Sequence, residues 1–312
     1  MLKQYLKAHV LLFALIQTLC QGFSKKSMEI VRLSINNRIL GKLRKRHKRE
    51  IEKFVQSYEK GQQEHSNKVW VCWLQGIENA PELVKKCYQS LQNNLVGLDN
   101  SLQDREIVLL TEDNYREYTH FPDYIQQKIA KGVITKTHMS DLIRLELLIR
   151  HGGTWIDATV FCSGKNIPTY MLDSDLFFYQ LLKPGRDGQS SVLSSWFMTS
   201  CTNNPILLLT RELLYKYWRK NDSMIDYFLL HDFFQLALEA YPEEWNQVIP
   251  RDNSAPHVLL LRLFEQFDEE LWNSAIRQSC FHKLSYKFSD TEMQKKNTYY
   301  DVIINKNPNI TH

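Results

Sequence analysis

The segment from Ser140 to Thr159 constrains the fold of this chain more than any other. An apolar stretch with helical spacing ends at Arg150-His151, and the pair Gly152-Gly153 follows it directly. Glycine just past a helix adopts the left-handed conformation that ends the helix, and it also lets another backbone approach closely. The next residues, Thr154-Trp155-Ile156, have the β-branched and aromatic side chains typical of a strand. The segment therefore predicts a helix, a tight turn and a strand, as in an α/β fold.

Two charged residues lie in the predicted helix. Asp141 and Arg144 are three positions apart, so a helix places them on one face. Most other positions between Met139 and Ile149 are apolar, which indicates that the helix is buried on most sides. A buried carboxylate and a buried guanidinium need partners. The two side chains either form an internal salt bridge or bind a ligand, and both interpretations stay open.

Asp157 directly follows the predicted strand. In open α/β sheets, ligands bind outside the carboxyl ends of the strands. The small neighbours Ala158 and Thr159 leave room beside this carboxylate for a hydroxyl group or a divalent metal ion. The alternative is a structural aspartate that stabilises a turn or caps a helix.

An earlier apolar run, Val69 to Leu74, predicts the first buried strand of a parallel sheet. Strand alternation places Trp70 and Trp73 on opposite faces, so at most one of them faces a ligand. A second strand is predicted from Arg105 to Leu110. The chain contains neither a GxGxxG nor a GxxxxGK segment, so a Rossmann dehydrogenase and a P-loop kinase are not supported.

The combined pattern resembles that of a group of sugar transferases. Ser140-Asp141-x-x-Arg144, a spacer, and Gly152-Gly153-x-Trp155-x-Asp157 match glycosyltransferases with a short Asp-x-Asp motif. That group includes the capsular polysaccharide synthesis proteins, the yeast-type initiating mannosyltransferases and the clostridial glucosylating toxins. The segment Gly153 to Phe161 is similar to the signature of the capsular polysaccharide branch, and the likeness extends from about Val69 to about Lys287. It implies a nucleotide-sugar transferase with a GT-A-like α/β fold and a Rossmann-like mixed sheet.

The resemblance implies a role for each residue of the motif. Asp141 would bind hydroxyl groups of the donor sugar or ribose, and Arg144 would contact the sugar or the diphosphate. Asp157 corresponds to the first Asp of the Asp-x-Asp motif, which contacts the ribose and the metal shell. Thr159 stands where the family has its second Asp, usually the direct metal ligand, and a neutral hydroxyl is a poor substitute. Mn²⁺ or Mg²⁺ is therefore the expected cofactor, with Asp157, Thr159 and His282 as candidate ligands.

Two more parts of the chain receive a role from the resemblance. Trp73 lies near the place where family members stack an aromatic ring on uracil, although Trp70 and Trp73 are equally consistent with two core residues. The segment Phe281 to Lys287 resembles a late motif of the capsular branch. On a late loop, His282 would reach the metal, and Lys283 would offset the charge that grows on the departing diphosphate. The alternative is that both side chains are exposed to solvent.

The second half of the chain is predicted to be mostly helical. Strands are expected at 176–182 and 191–199, followed by helices at 205–219, 224–240, about 256–266 and 269–279. Asp226, His231 and Asp232 fall in the second of these helices. His231 and Asp232 either line the acceptor site or form hydrogen bonds in the core.

The N-terminal segment differs in charge from the rest of the chain. Residues 1–53 hold 13 Lys or Arg and 3 Asp or Glu, a net charge of +10, whereas the remainder has a net charge of −6. We predict a basic amphipathic helical extension over residues 1–60, suited to an anionic membrane surface. A solvated extension or an oligomerisation arm is the alternative. Nucleic acid is not an expected partner, because the rest of the chain is acidic.

These observations lead to one functional hypothesis. A catalytic domain at 61–304, followed by a loose tail at 305–312, is expected to transfer galactose or glucose, with retention, from a UDP-sugar. The acceptor would be a lipid-linked oligosaccharide of a cell-surface polysaccharide. The expected location is cytoplasmic, at the inner face of the membrane, since six scattered Cys residues indicate reduced thiols. The alternatives are an inactive carbohydrate-binding or assembly protein of the same fold, motivated by Thr159, and a protein-glycosylating enzyme.

Overall fold

The computed structural model describes residues 2–97, 104–164, 167–181 and 190–306. Within these residues the strands form a larger and a smaller sheet. The strands are β1 Lys68–Cys72, β2 Glu106–Leu110, β3 Gly153–Ile156, β4 Val160–Cys162, β5 Leu176–Gln180, β6 Leu193–Ser200 and β7 Phe281–Lys283.

The larger sheet has five strands in the order β2-β1-β3-β6-β5. Strands β2 and β3 both run parallel to β1, whereas β6 is antiparallel to β3 and β5 is antiparallel to β6. Because β1 pairs with β2 on one side and with β3 on the other, the strand order reverses between β1 and β3. The smaller sheet pairs β4 with β7. The predicted α/β fold with a Rossmann-like mixed sheet is confirmed.

Both faces of the larger sheet are buried. Trp70 and Trp155, which are partners across β1 and β3, pack on one face into a core shared with long helices. Val69, Val71 and Ile156 pack on the other face. Burial on both faces explains why these strands are continuously apolar. A ligand can therefore reach this sheet at the strand ends.

The helices surround the two sheets. They are α1 Leu2–Lys7, α2 Leu11–Gln21, α3 Lys25–Ser57, α4 Glu82–Leu95, α5 Tyr115–Tyr118, α6 Asp123–Ala130, α7 Lys136–His151, α8 Tyr170–Asp173, α9 Pro205–Lys220, α10 Leu229–Ala240, α11 Pro242–Gln247, α12 Val258–Arg262, α13 Glu269–Gln278 and α14 Asp290–Met293. Short 3₁₀ turns lie at Ile77–Asn79 and Ala255–His257, and a π-helix spans Tyr300–Lys306. The C-terminal half is helical, as predicted.

Two predictions for the second half were wrong. The helix expected from Met224 begins only at Leu229, because the Asp226 side chain accepts a hydrogen bond from the Phe228 amide at 2.8 Å and holds a turn there. Asp226 therefore precedes α10. The expected late loop around His282 is strand β7, held by antiparallel pairing with β4.

Two of the predicted segments extend beyond the described residues. The strand expected at 176–182 ends at Gln180, and residue 182 is outside the described ranges. Of the tail expected at 305–312, residues 305 and 306 belong to the π-helix, and residues 307–312 are outside the described ranges.

The N-terminal helices pack onto the rest of the chain. Helix α3 lies against α9 and α10, and it buries Ile35, Ile39 and Leu43 in the main core. Arg44 of α3 forms an ion pair with Glu239 of α10 at 2.7 Å. In the described part of the chain, no helix is both long and apolar enough to cross a membrane.

Candidate active site

The candidate site is a cavity of about 630 Å³ at the carboxyl ends of β1 and β3. This is the point where the strand order reverses, the usual ligand position in an open α/β sheet. The residues after β1 contribute Trp73, and the residues after β3 contribute Asp157 to Thr159. Helix α7 contributes Asp141 and Arg144, and β7 contributes Lys283. The cavity therefore collects five of the predicted site residues from four different elements or turns, together with Thr159.

The Gly152-Gly153 turn sets where β3 begins. Both residues have positive φ, 64° for Gly152 and 90° for Gly153. A Cβ atom on Gly153 would lie 2.3 Å from the Lys68 carbonyl oxygen of β1. Only glycine allows this approach without a shift of the backbone. The turn thereby fixes the pairing of β3 with β1 and the position of Asp157 beyond its end.

Arg144 joins the two carboxylates of the motif. Its Nη1 donates to Asp141 Oδ1 at 2.8 Å, and its Nη2 donates to Asp157 Oδ1 at 3.3 Å. The guanidinium carbon lies 4.8 Å from the centre of a Trp155 ring, and Trp155 Nε1 donates to Asp157 Oδ1 at 2.9 Å. Arg144 is buried, whereas Asp141 and Asp157 are partly exposed on the cavity wall. An internal salt bridge and a pair of cavity-facing carboxylates are thus both present in one arrangement.

Asp141 is held in its ionised form. Burial raises the pKa of its carboxyl, but the hydrogen bond with His138 and the charge of Arg144 outweigh burial and hold that pKa below its ordinary value. His138 Nδ1 lies 3.4 Å from Asp141 Oδ2. An ionised carboxylate accepts hydrogen bonds, so Asp141 can accept them from hydroxyl groups.

Lys283 approaches Asp157 from the other side. Its Nζ donates to Thr159 Oγ1 at 2.6 Å and lies 3.5 Å from Asp157 Oδ2. The register of β4 and β7 sets this position, because Val160 pairs with Lys283 and the Leu284 amide donates to the Thr159 carbonyl at 2.9 Å. Two basic side chains therefore flank the Asp157 carboxylate, one at each oxygen.

His282 does not join this group. Strand alternation turns its side chain away from Lys283, and it is fully buried beside Trp272, with ring centres 5.5 Å apart. Its Nε2 lies 2.9 Å from Ser163 Oγ. Burial lowers the pKa of this imidazole to about 3, so it is neutral at physiological pH. The structure brings Lys283 to the cavity and places His282 outside it.

Trp73 and Trp70 have different environments. Trp73 lies in the cavity wall, where the ring of Tyr286 packs against it edge-on with centres 5.3 Å apart. Trp70 is fully buried, and its Nε1 donates to the Gly152 carbonyl at 2.8 Å. Of this pair, it is Trp73 whose ring is placed to meet a ligand. The hydrogen bond from Trp70 instead supports the glycine turn.

His231 also lines the cavity, whereas Asp232 is buried behind it. Burial lowers the pKa of His231 to about 4, so its imidazole is neutral near pH 7. Among the described residues, its Nδ1 has no hydrogen-bond partner. Burial raises the pKa of Asp232 well above its ordinary value. His231 can thus offer a ligand one neutral donor or acceptor atom, and Asp232 is a core residue.

One wall of the cavity has no counterpart in the sequence motifs. Ser194 and Trp196 of β6 both donate to Asn253 Oδ1, at 2.9 and 2.8 Å, and all three line the cavity. These residues meet because β6 runs antiparallel to β3 and the segment before α12 folds back onto β5. The sequence offers no local signal for this contact.

The residues expected to hold a divalent metal ion do not form a suitable site. Within the described ranges, no group of three or more His, Cys, Asp or Glu side chains is arranged to bind a metal ion. The Thr159 hydroxyl already accepts a hydrogen bond from Lys283, and His282 points to the other face of β7. Asp157 is the one carboxylate of the expected ligand set, and a basic side chain lies beside each of its oxygens. In nucleotide sites Mg²⁺ is bound by one or two carboxylates together with phosphate oxygens and water. Because a cation already lies beside each oxygen of Asp157, this donor set does not fit Mn²⁺ or Mg²⁺.

Comparison with known proteins places the chain among related sequences. Residues 20–303 match the model of the family described as "Capsular polysaccharide synthesis protein". Two curated relatives are "O-glycosyltransferase PaGT" of Phomopsis amygdali, 23% identical over 141 residues, and "O-glycosyltransferase braB" of Annulohypoxylon truncatum, 27% identical over 161 residues. These matches cover 42% and 48% of this chain, and 34% and 37% of the relatives' lengths.

A solved structure titled "PaToxG Glycosyltransferase" aligns with 88% of this chain and 97% of its own, at 14% identity and a TM-score of 0.37. That score is too low to define the fold, which stands on the sheet order itself. The family match is different in kind, because it extends from α2 to the π-helix and includes the whole cavity. The chain therefore belongs to the capsular polysaccharide synthesis protein family.

Proposed function

We propose that this protein is a glycosyltransferase that moves a hexose from a UDP-sugar to an acceptor hydroxyl, with retention at the anomeric carbon. One observation supports it above the rest. Asp141, Asp157, Arg144 and Lys283 converge in a cavity at the point of the sheet where α/β proteins bind nucleotides. A nucleotide-sugar site requires carboxylates that accept hydrogen bonds from hydroxyl groups and cations that donate hydrogen bonds to phosphate.

The diphosphate of the donor would lie against the basic side chains. Arg144 and Lys283 are both within ion-pair distance of Asp157, at 3.3 and 3.5 Å. The first residues of α7, Lys136 and Thr137, also line the cavity, and a helix N-terminus favours an anion. As the bond to the sugar breaks, negative charge grows on the departing diphosphate, and these cations would stabilise it.

The base and the sugar would occupy the neighbouring walls. Trp73 offers an aromatic face, and stacking on a base is worth about 1–3 kcal/mol in nucleic-acid binders. Asp141 and Asp157 would accept hydrogen bonds from hydroxyl groups of the ribose or the sugar. His231 and Asn253 also line the cavity and would contact the acceptor. We assign no protein nucleophile, and the transition state is expected to resemble an oxocarbenium ion.

The acceptor is proposed to be a lipid-linked oligosaccharide of a surface polysaccharide. Support comes from the family description, which names capsular polysaccharide synthesis, and from the relatives' names, which describe transfer to oxygen. Thr159 is the feature that would fit the alternative, an inactive binding protein. The convergence of Asp141, Arg144 and Asp157 favours turnover over that alternative.

Release of UDP from a panel of UDP-sugars tests this proposal, with wild type and Asp157→Asn compared. Asparagine keeps the side-chain shape and an acceptor for Trp155 Nε1 but removes the charge between Arg144 and Lys283. We expect release from one UDP-hexose, reduced about 100-fold or more in the variant. Release from no donor by a folded protein would contradict the proposal. Equal release by both proteins would contradict the role of Asp157.

We further propose that an anionic lipid surface binds the N-terminal helices, which would bring the protein to its acceptor. Leu12, Leu15, Ile16 and Leu19 lie on one face of α2 and are 48–75% exposed. Phe23, which follows α2, is 78% exposed. Lys25 and Lys26, the first two residues of α3, follow shortly after Phe23 in the sequence and are exposed. An exposed apolar helix face with basic residues nearby in the sequence is the pattern of a segment that lies in a membrane interface.

Sedimentation with vesicles tests this second proposal. Leu19→Gln combined with Phe23→Gln is expected to reduce binding to phosphatidylglycerol-containing vesicles at least about tenfold, because two apolar side chains no longer enter the bilayer. Leu261→Gln is the control, since Leu261 is 68% exposed on α12. Equal binding by all three proteins would contradict the proposed surface. Undiminished binding to phosphatidylcholine vesicles would contradict its electrostatic part.

A further inference from the structure

We propose that the Lys283 ammonium group takes the place of a divalent metal ion beside Asp157, and that this protein binds its donor diphosphate without a metal. The inference rests on the proposed function. Thr159 is a neutral residue at the position where the resemblance places a second carboxylate, and the Lys283 ammonium group lies beside it.

The geometry places one cation against both positions of the motif. Lys283 Nζ lies 2.6 Å from Thr159 Oγ1 and 3.5 Å from Asp157 Oδ2. A metal ion bound by an Asp-x-Asp pair would need the same two side chains as ligands. The ammonium group and such an ion would compete for the same space.

The charges balance in the same way. Two carboxylates and a divalent cation have a net charge of zero, and so have Asp157, Thr159 and Lys283 together. With a second carboxylate at position 159, this residue and Asp157 together with Lys283 would have a net charge of about −1. A divalent ion added to the present arrangement would instead meet the charges of Lys283 and Arg144, on opposite oxygens of one carboxylate. A neutral residue at position 159 and a lysine at position 283 are therefore mutually consistent.

Lys283 is held in place by its surroundings. Its side chain is only 20% exposed, and Nζ also contacts the Leu284 carbonyl at 3.3 Å. The pairing of β7 with β4 fixes the backbone from which it extends. An ammonium group has three donors. The hydrogen bond to Thr159, at 2.6 Å, is the shortest of its contacts. The contacts with the Leu284 carbonyl and with Asp157 are longer, so the N–H groups that face them can instead donate to a phosphate oxygen.

The test is calorimetric titration of UDP in EDTA and in Mn²⁺, with Lys283→Met as the variant. Wild type is expected to bind UDP with Kd values that agree within about twofold in both buffers. Loss of a charge-assisted hydrogen bond in Lys283→Met is expected to weaken binding about tenfold or more. Lys85→Met is the matched control, because Lys85 is a half-buried, ion-paired lysine of α4 outside the cavity.

A second variant converts the site. Thr159→Asp combined with Lys283→Met restores two carboxylates, and it is expected to bind UDP more tightly in Mn²⁺ than in EDTA. Electron paramagnetic resonance of free Mn²⁺, without nucleotide, gives an independent readout. Wild type should leave the signal unchanged, and the double variant should reduce it.

The possible results separate the two proposals. If wild type binds UDP only in Mn²⁺, the inference is overturned and the proposed function stands. If Lys283→Met binds as tightly as wild type, the inference is also overturned, and this variant suffices even where the double variant does not fold. If wild type binds UDP in neither buffer, the proposed function fails and the inference fails with it.

Discussion

The α7–β3 segment and the β4–β7 pair bring charged side chains to the same cavity by different routes. In the first, Asp141, Arg144 and Asp157 lie within seventeen positions of one another, and a glycine turn sets their separation. In the second, Lys283 reaches Thr159 only because two strands far apart in sequence pair. The first route is encoded locally and the second by the tertiary fold. Variants in the two regions should therefore have different consequences.

The largest effect is expected where one side chain joins both carboxylates. Arg144→Met leaves Asp141 and Asp157 without their shared partner, and breaking such a buried pair costs about 3–5 kcal/mol. We expect that loss in the free energy of unfolding, measured by urea denaturation. Arg116→Met is the control, because Arg116 is an exposed partner of Glu112 and its loss should cost less than about 1 kcal/mol. Similar values for both variants would mean that Arg144 is not the centre of the motif.

The next effect concerns the glycine turn. Gly153→Ala places a Cβ atom 2.3 Å from the Lys68 carbonyl oxygen at positive φ, and we expect a loss of about 2 kcal/mol or more. Gly41→Ala, in the middle of α3 with open space around it, should instead raise stability by about 0.5–1 kcal/mol. Thermal unfolding of the two variants gives the comparison. A Gly153→Ala protein as stable as wild type would show that β3 does not depend on the close approach.

The smallest expected effect on UDP binding is that of a substitution at His282, the neighbour of Lys283. His282→Gln is expected to leave the Kd for UDP within about twofold, because His282 lies outside the cavity. It should change how stability depends on pH. The folded state holds the pKa of His282 at about 3, below its ordinary value of 6.5, so protons bind the unfolded state preferentially as pH falls below 6.5. Wild type should lose stability relative to the variant by about 1 kcal/mol per pH unit between pH 6 and 4.

Urea denaturation at several pH values measures this difference. The buried His231 affects both proteins in the same direction, and the buried carboxyls of Asp226 and Asp232, whose pKa values are raised, act in the opposite direction in both. Comparison of the two proteins removes these shared contributions. Parallel pH profiles would contradict the buried, neutral state of His282. Weaker UDP binding by the variant would contradict its position outside the cavity.

The locally encoded features were predictable from the sequence, whereas those that depend on the tertiary fold were not. The helix, the turn and the strand around Asp157 were predictable because their signals lie within a few residues, and the apolar run before Trp73 identified β1. The placement of His282 was not predictable, since strand β7 has three residues and depends on β4 for its pairing. The wall formed by Ser194, Trp196 and Asn253 had no local signal at all.

The start of α10 shows a second kind of limit. Apolar spacing suggested a helix from Met224, but the Asp226 side chain competes for the Phe228 amide and delays the helix to Leu229. That turn leaves Tyr227 and Phe228 beside the cavity. Side-chain hydrogen bonds of this type are decided by the fold and not by periodicity.

A crystal structure with UDP tests the central claim most directly, because it locates the nucleotide and not only its affinity. We predict the uracil ring against Trp73 and the diphosphate within hydrogen-bond distance of Arg144 or Lys283, with no metal ion between the phosphates and Asp157. A nucleotide bound away from the ends of β1 and β3 would contradict the proposed site. A metal ion coordinated by Asp157 in that complex would contradict the role given to Lys283.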